Sequence, residues 1–401
     1  MERRKFLQGL GTIACSAAAH PLMSSVTFAG GPERLGENRL VVVILRGAMD
    51  GLDAIQPRAE AGFALLRPGL SKAASLDLDG FYGLHPALGD LLPLWQSGEF
   101  GAVQATSTPY RDKRSHFDGQ DILEAGTGMD VAPNALRDGW LNRMLQAVPG
   151  LSAETAYALG EGQLLLLSGK APVRSWQPDL RLDLSPQARL LLEHIYHDDP
   201  LFREAAAEAL EMSQAEPMMM TADGGNAPDR QARRLAEVDR LADFAVTKLQ
   251  GEARIAALSM TGWDTHRSQG GVLPASFQRL SRLILQLKQG LGPVWSRTAV
   301  LVMTEFGRTA AENGSGGTDH GTGGAMLYAG GALKGGQVLG PWPGLSEAAL
   351  YDRRDLMPTT DVRIWAAAVM QGLFGFDRAL LEGSVFPGME MKLPAGGRII
   401  T

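Results

Sequence analysis

The sequence predicts an α/β protein: a mainly parallel central sheet sandwiched by helices. Three observations lead there. Residues 39–45 (RLVVVIL), 253–260 (ARIAALSM) and 299–304 (AVLVMT) are continuous apolar runs. They are short and lack polar alternation, as strands buried on both faces do. Each run is followed within a few residues by groups that bind protons or metals: Asp50, then Asp264 with His266, then Glu305. Between the second and third runs, residues 276–289 have the apolar spacing of a helix. A strand, a crossover helix and a strand form a parallel βαβ unit. The acids and histidines after those strands then share the carboxyl edge of one sheet, where ligands bind in open α/β folds.

The chain has 401 residues and a formal charge of −6. Residues 1–29 carry a net +2, which leaves −8 for the rest. That balance argues against a nucleic-acid or anionic-membrane partner. After residue 40 no apolar run is long enough for a membrane helix. The first residues read as targeting. Arg3-Arg4-Lys5-Phe6-Leu7 precedes a weakly apolar stretch, with small residues at Ala19 and Ala29 suited to cleavage. The paired arginines resemble the twin-arginine signal, which exports folded proteins. The expectation is a signal over 1–29, a single domain over 30–401 and a periplasmic or extracellular destination. A lipid anchor at Cys15 and an uncleaved anchor are the alternatives. Cys15 is the only cysteine. The mature chain therefore has no disulfide, which suits folding in a reducing cytoplasm before export.

After the strand at 39–45, Asp50 lies between glycines, placed either for a metal or for a turn. Residues 86–96 read as a helix and 100–105 as a strand. Ser115 followed by Asp118 reads as a helix start. A hydroxyl there also sits in a positive field, with Arg111 and Arg114 near enough to hold an anion. The middle is less informative. It reads as a strand at 163–167, a helix at 185–196 carrying His194 and His197, a loop at 212–229 and an amphipathic helix at 230–250. Beyond Glu305 the chain turns at Gly307 and crosses a glycine-rich loop. It passes Asp319-His320-Gly321 and returns as an apolar strand at 325–329. Residues 361–374 read as a helix with an apolar face.

The order Asp50, Ser115, Asp264 with His266, Glu305 and His320 resembles the alkaline phosphatase/sulfatase superfamily. The twin-arginine start with LRGAMDGLD, RSHFDGQDILE, GWDTH, TEFGRT and DHGTGG resembles more closely one exported family within it, domain of unknown function 1501. The resemblance implies an alkaline phosphatase-like fold. It implies metal ligation by Asp50, Asp264, His266, Glu305 and His320, with Ser115 in the nucleophile position. One or two divalent ions (zinc, manganese or iron) would activate that hydroxyl and polarise an anionic ester. Arg111, Arg114 and Arg308 would neutralise the ester oxygens, and His116 would protonate the leaving group. One position departs. Phe306 stands where the superfamily has a histidine, so the second metal lacks a ligand unless His116 substitutes. Two functions follow: a metal-dependent hydrolase of a phosphate or sulfate ester, or a non-catalytic relative binding an exported protein or polysaccharide.

Overall fold

The computed structural model describes residues 28–29, 35–72, 74–111, 113–129, 138–148, 151–153, 155–160, 164–177 and 227–401. The arginine pair of the expected signal, Cys15, His194, His197 and most of the expected loop at 212–229 lie outside the described residues.

The expected apolar runs are strands: β1 (Arg39–Arg46), β5 (Ile255–Thr261) and β6 (Thr298–Thr304). Among the described residues they belong to a nine-stranded sheet. Its other members are β2 (Phe100–Ser107), β3 (Ala156–Leu159), β4 (Arg174–Trp176), β7 (Gly324–Ala329), β8 (Val338–Leu339) and β9 (Thr360–Asp361). The spatial order is β8, β2, β7, β6, β1, β5, β3, β4, with β9 also beside β2. β1 is central and pairs in parallel with both β5 and β6. Among the described strands of this sheet, only β7 runs against its neighbours. Its amino end therefore meets the carboxyl ends of the others, and the residues before it, Asp319 and His320, reach the edge carrying Asp264 and Glu305.

The period of two along β1 explains the layers. Val41, Val43 and Leu45 face one apolar core, with Leu273, Phe277, Leu280 and Ile284 of α4 (Gln269–Leu291) and Val238 and Leu241 of α3 (Ala227–Gln250). Leu40, Val42 and Ile44 face the other, with Leu141 and Met144 of α2 (Trp140–Gln146) and Trp365 and Val369 of α5 (Val362–Phe374). Each aliphatic side chain so buried contributes about 1.5–3 kcal/mol. A strand with polar alternation could not fill both cores.

Three expected elements differ. Residues 165–167 form a 3-10 turn rather than a strand, because the Leu166 amide is taken by the buried Glu124 carboxylate and not by a ladder. The segment at 86–96 begins as a 3-10 turn (Pro86–Leu91) before one short α-helix, Leu92–Gln96. Helix α4 starts seven residues before the expected 276, since Gly270, Gly271 and Pro274 read as breakers but fall in its first two turns. No described helix is long and apolar enough to cross a membrane.

Candidate metal centre

Asp264, Thr265 and His266 follow β5 as an alternating segment. Thr265 is buried and donates to Gln269 at 2.8 Å, so its neighbours project outward. His266 Nε2 lies 3.0 Å from Asp264 Oδ1. His320, arriving ahead of β7, places its Nε2 2.9 Å from His266 Nε2 and 3.3 Å from Asp264 Oδ1. His116, the first residue of α1 (His116–Ala125), brings its Nε2 to 3.5 Å from Asp264 Oδ2. Tetrahedral ligands at about 2.0–2.1 Å from a metal lie ~3.3 Å apart. The Nε2 atoms of His266, His320 and His116 lie 3.0, 3.3 and 3.5 Å from Asp264 oxygens, in or near that range.

Each imidazole is held by its other nitrogen. His266 Nδ1 meets the Asp319 carboxylate at 3.0 Å. His320 Nδ1 meets the Arg114 carbonyl at 2.9 Å. His116 Nδ1 meets Glu305 Oε1 at 2.7 Å. An acceptor at Nδ1 sets the tautomer with its proton there and turns the Nε2 lone pair outward, the arrangement that supports metal-binding histidines. Among the described residues His116 Nε2 is buried and makes no hydrogen bond, its nearest carboxylate oxygen being Asp264 Oδ2 at 3.5 Å. A buried nitrogen with a free lone pair costs free energy unless something fills the space before it. Among the described residues, His116, Asp264 and His320 each offer a ligand atom within 4.8 Å of the others. The donor set fits a divalent cation.

The electrostatics favour ligation at two of these groups and oppose it at the third. Burial pushes the Asp264 carboxyl up, but the Arg308 guanidinium at 2.5 Å outweighs it and holds the group below the usual range. Burial lowers His320, partly offset by its bond to the Arg114 carbonyl. Both shifts favour the form that ligates. The Glu305 bond raises His116 above the ordinary histidine value, so a metal there competes with a proton.

Glu305 is fully buried and supports the centre from behind. Its Oε1 accepts from His116, from the amides of Gly47 and Ala48 at 2.8 and 3.0 Å, and from Gln120 at 3.3 Å. Burial pushes this carboxyl up, yet those bonds, led by His116, bring it below its ordinary value. The two amides converge because Gly47 and Ala48 both take positive φ, 117° and 58°. At Gly47 a Cβ would also come within 2.6 Å of the Asp264 amide. Only glycine serves there.

Several expected roles are revised. Glu305 holds His116 by hydrogen bond, its Oε1 already having four donors and its Oε2 accepting from Thr304 at 2.9 Å. Asp50 is buried and saturated: Oδ1 accepts from the amides of Leu52 and Asp53, while Oδ2 accepts from Arg67 and Gln269, each at 2.7 Å. A carboxylate so occupied has no lone pair to offer a metal. Arg308 is not available to substrate. It is about 1% exposed, and its guanidinium donates to the carbonyls of Ala48, Thr318, Gly47 and Trp263 as well as to Asp264. Phe306 is buried and packs against His116 and His320, with ring centroids 5.2 and 5.3 Å away. Ser115 is the N-cap of α1, its hydroxyl accepting from the Asp118 amide at 3.4 Å. Arg111 donates to the carbonyls of Thr108 and Tyr110.

Sequence reasoning missed Asp319, Gln120 and Arg67. Asp319 adjoins His320 and was open to the same reading. Arg67 bonds to Asp50 and to the carbonyls of Thr309 and Ala310, more than 240 residues away, with no local signal.

Residues 94–364 match the family model described as "Protein of unknown function (DUF1501)". No curated protein matches the chain. Among solved structures, a protein of the alkaline phosphatase superfamily from Vibrio parahaemolyticus is similar at 12% identity. That match covers 88% of this chain and 69% of that one, with a TM-score of 0.36. Alkaline phosphatase from the Antarctic bacterium TAB5 is 10% identical over 73% of this chain and 91% of that one, TM-score 0.32. Lipooligosaccharide phosphoethanolamine transferase A from Neisseria meningitidis is 10% identical over 92% and 61%, TM-score 0.37.

Proposed function

The chain belongs to the DUF1501 family, and we propose that it is an exported, single-metal hydrolase of an anionic phosphate or sulfate ester. One observation carries the reading: three histidines, each held at Nδ1 by an oxygen acceptor, converge through Nε2 on one ionised aspartate. Three imidazoles and one carboxylate suit zinc, manganese or iron better than calcium or magnesium. Such an ion supplies Lewis acidity and lowers the pKa of a hydroxyl bound to it.

A single ion is favoured over two. The carboxylates expected at a second position are occupied, Asp50 by Arg67 and Glu305 by two amides, Gln120 and His116. Phe306 presents carbon beside His116 and His320. In this reading His116 is a ligand instead of the acid. Ser115, between the residue whose carbonyl holds His320 and the ligand His116, is the candidate nucleophile. Arg114 and Arg111 are the candidate binders of ester oxygens. The paired arginines near the amino terminus support export by the twin-arginine route. The acidic balance supports a small anionic ester over nucleic acid as partner.

The second reading is a metal-containing binding protein of the same fold, with an exported protein or polysaccharide as partner. It is favoured by the Ser115 hydroxyl serving as a cap. Turnover of generic phosphate mono-, di- and sulfate esters by the zinc-, manganese- and iron-loaded protein separates the two. Hydrolysis abolished by Ser115→Ala supports the first. A loaded protein inert toward all three classes leaves the second.

A further inference from the structure

Beside the metal centre lies a group that the reading above does not use. Asp355 is fully buried, and its carboxylate holds two arginines. Oδ1 accepts from Arg354 Nη1 at 2.9 Å, and Oδ2 accepts from Thr322 at 2.9 Å and from Arg114 Nη2 at 3.5 Å. Both arginines also touch the ligand His320. Arg354 Nη1 donates to its carbonyl at 3.0 Å, and the Arg114 carbonyl meets its Nδ1. Arg114 takes a left-handed φ of 52°, a conformation costly for a non-glycine residue.

Neither guanidinium is used up by the protein. Among the described residues, Nε and Nη2 of Arg354 make no hydrogen bond. Among the described residues Arg114 Nε is buried without a partner, and the one bond of its side chain is the long one to Asp355. The two side chains remain about a third exposed. Arg308, by contrast, spends its donors on four carbonyls and Asp264. Arg354 also acts on the Asp319 carboxylate, which is itself held by His266 and Asn313, so what the pair offers at the rim is forked donors rather than an uncompensated charge.

We propose that Arg114 and Arg354, braced by Asp355, form a two-arginine seat for the tetrahedral oxyanion of the substrate. Arg354 is then a substrate-binding residue and Asp355 a positioning one. The inference rests on the metallohydrolase reading for the identity of the anion. Planar guanidinium forks match such oxygens bidentately. Because both arginines contact His320, filling the seat also steadies a metal ligand. Anion and metal then strengthen each other's binding, reciprocally.

Inorganic phosphate, with sulfate as a second arm, is titrated calorimetrically into chelator-treated and zinc-loaded protein. Wild type, Arg354→Gln, Arg354→Lys and Arg353→Gln are compared. Arg353 is the control: its side chain is 81% exposed and, among the described residues, pairs with Glu347 alone, at 3.8 Å. The expected result is that Arg354→Gln weakens phosphate at least tenfold, Arg354→Lys less so, and Arg353→Gln less than twofold. Phosphate should also tighten zinc binding in wild type and not in Arg354→Gln. Arg354→Lys retains the charge, so it decides the matter if Arg354→Gln fails to fold. Sulfate bound as tightly as phosphate assigns the seat to either ester. The proposal is overturned if wild type binds neither anion, or if Arg353→Gln loses as much as Arg354→Gln. It is also overturned if both Arg354 variants bind as wild type does. Failure of the metal reading shows separately, as absence of zinc binding, while the phosphate titrations still decide on the seat.

Discussion

At the scale of single residues, the account turns on what holds each histidine. Glu305 fixes His116, and second-sphere partners of this kind are worth roughly 10–100-fold in metal affinity. Glu305→Gln is nearly isosteric, but its amide can present a donor where the His116 proton now points. It should weaken zinc by about that factor in a chelator competition, with the far-ultraviolet spectrum unchanged. Unchanged affinity would mean that His116 is not a ligand. Ser115 separates two roles in the same way. As a cap alone, Ser115→Ala costs roughly 0.5–2 kcal/mol and Ser115→Asp is tolerated, since aspartate caps as well as serine does. As a nucleophile, both variants lose turnover by orders of magnitude while zinc binding stays. Ester hydrolysis by Ser115→Asp near the wild-type rate removes it from the chemistry.

At the scale of elements, one arginine joins the loops that follow the strands. Arg308 reaches the turn after β1 through Gly47 and Ala48, the turn after β5 through Trp263 and Asp264, and the approach to β7 through Thr318. Replacing it by methionine strands several buried carbonyls at about 1–3 kcal/mol each. Arg308→Met should therefore lower unfolding stability by more than ~3 kcal/mol in chelator, by the same reckoning. A loss under about 1 kcal/mol in urea titration would show that the loops hold without it. This is also where sequence reading stops. TEFGRT carries an arginine three residues after a strand-end glutamate, a pattern equally suited to binding substrate. Only the burial of Arg308 and its partners in distant segments distinguish the two. Asp264, His266 and His320 were legible as neighbours because two follow a parallel strand and the third precedes a strand of opposite sense.

At the scale of the whole molecule, the layered sheet was legible because β1, β5 and β6 are apolar throughout, and that pattern fits only a sheet covered on both faces. The ion pairing beneath the site was not, because Asp50, Arg67 and Gln269 come from three separate segments. That cluster has a consequence for stability. Asp53, also buried there, faces Asp50, Arg67, Gln269 and Gln56, and its carboxyl is pushed up to about 6, first by burial and then by the Asp50 charge. A raised carboxyl binds its proton more tightly in the folded state than in the unfolded one. Stability should thus fall as pH rises from about 4 to about 6 and level off above. Asp53→Asn should remove that slope from urea midpoints taken across the range. A slope that survives the substitution would assign it to other groups.

The central claim is that Asp264, His266, His320 and His116 hold one divalent ion. Its most direct test is the metal content of purified protein by mass spectrometry, after equilibration with zinc, manganese and iron and removal of excess. The account predicts one ion per chain in wild type, and substantially less than one in Asp264→Asn and His266→Gln. Two ions per wild-type chain would contradict the single-metal assignment. No retained metal, or full retention in both variants, would contradict the site itself.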